Sequence, residues 1–238
     1  MWRTAVIKNQ CRAVVNSLVS ILSACYDRPM PRDARETRRR ILDAAYREFR
    51  RKGFVRVNVD EIAAASRVTK RTLYSHFRSK DELLAAALEV QIELAAAANQ
   101  ALTSQTSGST PEQIVDSLFA ALRRWSGKTR WSGSGFTRVA MELADLPGHP
   151  ARALARRHKG MMVSSLAEKF ANVGIESALE RAREIWMLAE GAIVMVLIQG
   201  DASYATTAAE AAKRLVLRDV VKQPRLRRTP PTQSSTPR

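Results

Sequence analysis

Two helix-start signals, Asn58 and Thr69, stand so close together that the interval must hold both a helix and the turn after it. An N-cap side chain accepts a hydrogen bond from the orphan amides of the first helical turn. Asn58 is followed three residues on by Glu61, the pattern of a capping box. The helix it opens is about seven residues long and ends near Ser66 and Arg67. Thr69 opens the next, in which Leu73 and Phe77 are spaced i, i+4 and share a face. Two short helices joined by a turn of three or four residues, with Ile62, Ala63, Val68, Leu73 and Phe77 turned inward, fit a helix-turn-helix over residues 58–77. Spacing alone fits any compact three-helix bundle equally well.

The flanking sequence is helical throughout. From Asp33 to Arg51, Ile41, Leu42, Ala45 and Phe49 mark one face, and Gly53 stops the helix with Phe54 following. Ser79, with Glu82 three residues on, starts a long helix carrying Leu83, Leu84, Ala87, Leu88 and Leu94 and reaching to about Ala101. A polar loop over 103–110 precedes Thr110-Pro111-Glu112-Gln113, a helix start with proline at N1. Further helices are expected over 111–126, 134–144, 150–172, 176–199 and 204–220, broken at Gly127, Leu146–Pro150, Gly174 and Gly200. No strand-like alternation persists, so the fold class is all-α. The expected division is an N-terminal extension (1–30), a helix-turn-helix domain (34–94), a helical body (103–220) and a disordered basic tail (221–238).

Charge is unevenly placed. Of a net +16, residues 31–80 carry 15 basic and 6 acidic side chains, whereas residues 81–220 carry 15 and 16. A basic block beside a neutral body suits a polyanion, since lysine and arginine displace counterions from phosphates. A basic face with no nucleic-acid partner is the alternative. Cys11 and Cys25 are the two cysteines, so no disulfide framework exists and a reducing, cytoplasmic compartment fits. His76, His149 and His158 are scattered and show no metal-ligand spacing. Residues 13–25 form an apolar run too short to span a bilayer, and Leu22–Cys25 resembles a lipoprotein cleavage box. The favoured reading takes Met30 as the natural start. A membrane-attached lipoprotein is the competing one.

Around the third helix, with Leu73 at the centre of the buried face, Arg71 and Ser75 fall about 160° away and Thr72 and Tyr74 about 100° to either side. Five basic residues and no acid lie between Arg67 and Lys80. Arginine pairs bidentately with guanine, and serine and threonine bond to bases or phosphates. A merely solvated helix face usually mixes both charge signs.

The stretch from Thr37 to Leu84 resembles the DNA-binding domain of the TetR family, most specifically in TLYSHFRSKDELL, which matches the family pattern T-L-Y-x-H-F-x-S-K-x-x-L. That resemblance implies that Thr69 caps a recognition helix, that Lys70 and Arg71 read base edges, and that Thr72 lies near a base or phosphate. Tyr74, His76, Lys80 and Asn58 would bind phosphates, Lys80 with help from the dipole of the fourth helix. Competing readings are a half-buried structural His76, a Tyr74 packed in the bundle, and a solvated Arg78 and Lys80. The sequence departs from the family at Arg67, often glycine there, and at Ser66, often alanine. Arginine at a positive φ costs about 1 kcal/mol.

The body shows no G-x-S-x-G, glycine-rich phosphate loop or H-E-x-x-H, so no enzyme and no cofactor is expected. Trp125, Phe136, Met141, Met162, Trp186 and Glu190 are the candidate lining of a pocket for a small hydrophobic effector, and each also suits an ordinary core position. Glu190, in an apolar helix, needs a partner, whether a ligand or a protein donor. The resemblance implies a homodimer through the helices at 176–199 and 204–220, with Ala189, Gly191 and Ala192 permitting close approach. The same residues equally fit the centre of the body. With the resemblance, these residues imply a repressor that holds double-stranded operator DNA as a dimer and is released by its effector. The rivals are the lipoprotein and a sequence-non-specific DNA-binding protein.

Overall fold

The computed structural model describes residues 32–103 and 109–222, with side chains placed for 33–97 and 109–217. The extension at 1–30, with its cleavage-box motif, and nearly all of the basic tail lie outside those residues. The chain divides into two units, Met1–Ile41 and Leu42–Arg238. The second contains both the helix-turn-helix and the body.

The described helices are α1 (Arg32–Lys52), α2 (Val59–Ala65), α3 (Lys70–His76), α4 (Lys80–Thr103), α5 (Pro111–Ser126), α6 (Gly135–Glu142), α7 (Pro150–Asn172), α8 (Ala178–Gln199) and α9 (Ser203–Lys222). No strand occurs among the described residues. Local chemistry sets the boundaries. Thr110 Oγ1 accepts from Gln113 N (3.3 Å), and Gln113 Oε1 accepts in return from Thr110 N (2.8 Å), a complete capping box with Pro111 at N1. Gly200 ends α8 at φ +70°, and Gly53 follows α1 at φ +91° with Phe54 buried behind it.

Two expected boxes close differently. Asn58 Oδ1 accepts from Asp60 N (2.6 Å), one residue earlier than the box predicts, and Glu61 also holds Lys52 at 2.7 Å. Ser79 Oγ accepts from Glu82 N (3.0 Å) as expected, but Glu82 Oε2 reaches back to Arg78 N (2.7 Å).

Packing in the body runs α5 against α9, α9 against α8, and α8 against α7. Phe119, Phe170, Ile185, Val115 and Val216 are fully enclosed. The α8–α9 contact is alanine-rich: Ala182, Ala189 and Ala192 meet a helix carrying Ala205, Ala208, Ala209 and Ala212, all buried. Small side chains let the two backbones approach, and the buried methyls add dispersion contact. Ala189 and Ala192 are thus spent inside one chain, while Gly191 lies exposed on the opposite side of α8. The close-approach residues expected at a dimer face divide between two faces.

The helix-turn-helix has one strained position. Arg67 sits at φ +56° in the turn after α2, where its N–H donates to Ala64 O (3.1 Å) and Val68 N–H donates to Ala63 O (3.0 Å). Ser66 beside it is buried, and its hydroxyl donates to Ile62 O (2.7 Å) and Ala63 O (3.1 Å), so no polar group is stranded. The left-handed conformation costs an arginine about 1 kcal/mol that glycine avoids. Arg67→Gly removes that cost but adds about 0.4–1 kcal/mol of unfolded-chain entropy, so the unfolding free energy is expected to rise by no more than about 0.6 kcal/mol. Equilibrium denaturation checks this.

Candidate nucleic-acid interface and body cavities

Helix α3 is held from one side. Leu73 and Phe77 are enclosed with Ile62, Ala63 and Val57. Thr69 caps it, its Oγ1 accepting from Thr72 N (3.0 Å) and lying 2.8 Å from Thr72 Oγ1. The opposite face is open. Arg71, Ser75, Lys70 and Arg78 are exposed, and Tyr74 is 44% exposed, so its ring does not pack into the bundle. Arg71 makes no ion pair among the described residues. Ser75 donates back to Thr72 O (2.7 Å) and Thr72 is half-buried.

Three residues carry further engagements. Lys70 pairs with Asp60 of α2 at 3.0 Å, both well exposed; such pairs are worth only a few tenths of a kcal/mol and exchange readily for a phosphate. His76 is half-buried, its ring 6.4 Å from that of Phe77. Lys80 donates to Val57 O (2.8 Å) and Val55 O (3.3 Å) and lies 4.6 Å from the Phe54 ring centroid. Its burial pushes its pKa below the usual lysine value. Lys80 thereby staples the α1–α2 turn to the start of α4, a task its sequence motif does not announce. Asn58 stays exposed at the N-terminus of α2.

The short helix α6 binds this region to the body. Arg138 donates to Arg50 O (2.8 Å) at the end of α1, and its Nε pairs with Glu142 Oε1 (2.7 Å). Glu142 Oε2 accepts from Val55 N (3.1 Å). Arg50 in turn donates to Gly133 O (3.0 Å) and Ser132 Oγ (3.3 Å) before α6. A Cβ at Gly53 would push aside the side-chain ends of Glu142 and Arg138, and the φ of +91° itself favours glycine there. His149 caps α7 through Nδ1 and sets its ring 5.9 Å from that of Phe54. Arg138 and Glu142 form an i, i+4 pair, the one trace of this clamp in the sequence.

Two cavities open in the body. One, of about 390 Å³, is lined by Phe136, Thr137, Ala140, Lys159, Trp186 and Glu190 together with Arg152, Ala155 and Arg156. The other, of about 630 Å³, lies among α5, α7 and Trp186 and includes Met162. Phe136, Trp186 and Glu190 are thus brought together, and Met162 shares Trp186 with them across the second cavity. Trp125 and Met141 line neither. Trp125 packs edge-on against Trp131 at 5.2 Å, and Met141 projects outward, 65% exposed, because α6 turns its other side inward. The partner of Glu190 is in the protein: Lys159 pairs with Oε1, and Thr137 Oγ1 donates to Oε2 at 2.9 Å.

His158 stacks on Phe136 at 3.9 Å. Burial first, then the neighbouring Lys159, hold its pKa down to about 4, against an opposing pull from Glu190. The unfolded chain takes up this proton near the ordinary value of 6.5, and the folded chain only near 4. Its contribution to stability is therefore complete above pH 6.5 and is lost as pH falls towards 4. The fall in unfolding free energy across that window should be smaller in His158→Phe by about 2 kcal/mol, as read from urea midpoints at each pH.

An all-helical chain that presents a capped two-turn helix, basic and free of carboxylates on its outer face, behind a second short helix is a helix-turn-helix protein. Residues 41–87 match the family described as bacterial regulatory proteins, tetR family. The HTH-type transcriptional repressor SCO4008 of Streptomyces coelicolor is 41% identical over 58 residues, 24% of this chain and 30% of that protein. The HTH-type transcriptional regulator TtgR of Pseudomonas putida is 40% identical over 57 residues, 24% of this chain and 27% of its own length. The chain thus matches about a third or less of these relatives' length. Over the whole fold, the crystal structure of SCO4454, a TetR-family transcriptional regulator from Streptomyces coelicolor, superposes with a TM-score of 0.69 at 25% identity, covering 77% of this chain and 96% of that one. Residues 41–87 thus carry the tetR-family segment, and the described helices follow the fold of a TetR-family transcriptional regulator. That family is one of regulators, not of enzymes.

Proposed function

We propose that this chain is a dimeric repressor that holds an operator through α3 and lets go when a small apolar molecule enters its body. The observation that carries the reading is the outer face of α3, where Arg71, Tyr74 and Ser75 stand exposed among Arg67, Lys70 and Arg78 with no acid from residue 67 to 80. Arg71 and Lys70 read base edges, with Thr72 at the margin. Tyr74, His76, Asn58 and the N-terminus of α4 at Lys80 hold the backbone. Thr69 acts by fixing the helix.

A single α3 reads one half-site, and two-fold pairing places a second about 34 Å away in the next major groove. The outer edge of α8 favours such pairing, since Met187 is 67% and Ile198 66% exposed on a helix whose other side is core. A Met187→Arg/Ile198→Arg variant is expected to sediment as a monomer with unchanged helicity and to lose operator binding. A dimeric variant would remove α8 from the interface.

Release follows from two links. Helix α4 leaves α3 and packs along α7, with Arg157 on Glu89 at 2.5 Å. Helix α6 lines the smaller cavity with Phe136, Thr137 and Ala140 and grips the α1–α2 turn with Arg138 and Glu142. A ligand that favours a displaced α6 or α4 by 1–3 kcal/mol suffices to change operator affinity roughly 5- to 150-fold. Selection of binding sites from a random duplex pool tests the whole reading. A recovered inverted repeat with half-sites one helical turn apart is expected, and an unenriched pool would contradict it. No described helix is long and apolar enough to cross a membrane.

A further inference from the structure

The larger cavity, of about 630 Å³, is walled by the apolar side chains of Ile114, Leu118, Met162, Leu166 and Trp186. That volume is in the range of drug-sized ligand sites. Its charged lining is lopsided. Asp116 already engages Lys213 of α9 at 3.3 Å. Arg124 is exposed at the edge. Lys169, half-buried on α7, has no counter-ion among the described residues, and desolvation alone lowers its pKa. Trp186 adds a buried Nε1–H with no acceptor among the described residues.

Partial burial there disfavours the ammonium, and a negative group beside it would offset that. A cationic ligand meets Lys169 and Arg124 against one carboxylate that is already shared. A neutral apolar ligand fills the wall and leaves the lysine unmatched. An apolar anion satisfies both, its chain against Leu118, Met162 and Leu166 and its acid on Lys169. We propose that this cavity takes an apolar molecule bearing one carboxylate, with Lys169 as its counter-ion. The proposal rests on the body being a ligand-sensing domain and assigns the chemical class of what it senses.

Calorimetric titration of the full chain with octanoate, 1-octanol and octylamine tests it. Octanoate is expected to bind at least ten-fold more tightly than octanol, and octylamine most weakly. Lys169→Met should abolish the difference while octanol binding stays unchanged, which also shows that the variant folds; Lys169→Arg should keep it. Equal binding of octanoate and octanol to the wild type overturns the proposal and leaves the sensing reading standing. Loss of the preference in Lys159→Met, with Lys169→Met unaffected, also overturns it, by placing the acid in the smaller cavity. Failure of all three probes to bind overturns both the proposal and the sensing role of this cavity, while operator binding stands separately.

Discussion

An Arg71→Ala/Tyr74→Ala variant should bind the operator at least about 100-fold more weakly than the wild type while unfolding at nearly the same urea concentration. Both side chains point away from the bundle, and Arg71 has no ion pair among the described residues to lose. Alanine is the better helix former at each position, so the change in fold stability stays within about 0.5 kcal/mol. A bidentate arginine–guanine contact discriminates by about 1–3 kcal/mol. A tyrosine hydroxyl on a charged phosphate adds about 1.5 kcal/mol or more. The sum, near 3 kcal/mol, is about two orders of magnitude in affinity. Arg67, Lys70 and Arg78 remain, so weak, salt-sensitive binding to any duplex should survive. Anisotropy titrations of operator and scrambled duplexes read both quantities. A variant weakened equally on the two would show that α3 contributes charge and not sequence readout.

Phe170→Ala should destabilise the fold by about 3–5 kcal/mol, a large part of the 5–15 kcal/mol that holds a typical domain together. The ring is fully buried in the cluster formed by α5, α7, α8 and α9, near the C-terminus of α7. Phe170 O also accepts from Val173 N (3.2 Å) and Ile175 N (3.0 Å), which turn the chain from α7 towards α8. Those backbone bonds survive the substitution, so the loss is that of packing and the cavity left behind. Phe170→Leu keeps most of the volume and should cost much less. Urea denaturation followed by circular dichroism separates the two.

Much of the fold could be read from local chemistry. Thr69, Thr110 with Pro111, Pro150 and Gly200 each fix a helix end through atoms within a few residues, and α5 and α7 begin and end where those signals place them. The strain at Arg67 was legible only through the resemblance, which often places glycine in that turn. The face of α3 followed from periodicity once Leu73 was taken as buried. Non-local engagements were not legible. Lys80 reaches carbonyls more than twenty residues away. Trp125 meets Trp131, and the Arg138–Glu142 clamp meets α1 and its turn. Helix α8 hid most, since apolar residues surround it and no stripe distinguishes Ala189 and Ala192, turned into the core, from Met187 and Ile198, turned out. Met141 and Trp125 were candidates by residue type, and residue type does not record which side of a short helix faces a cavity.

The most direct test is a gel shift of the full chain on the DNA upstream of its own gene, run with and without a large excess of random duplex. A shift that survives the competitor is the result predicted by sequence-specific readout through α3. A shift that the competitor abolishes would contradict it and leave only the attraction of a basic surface for phosphate.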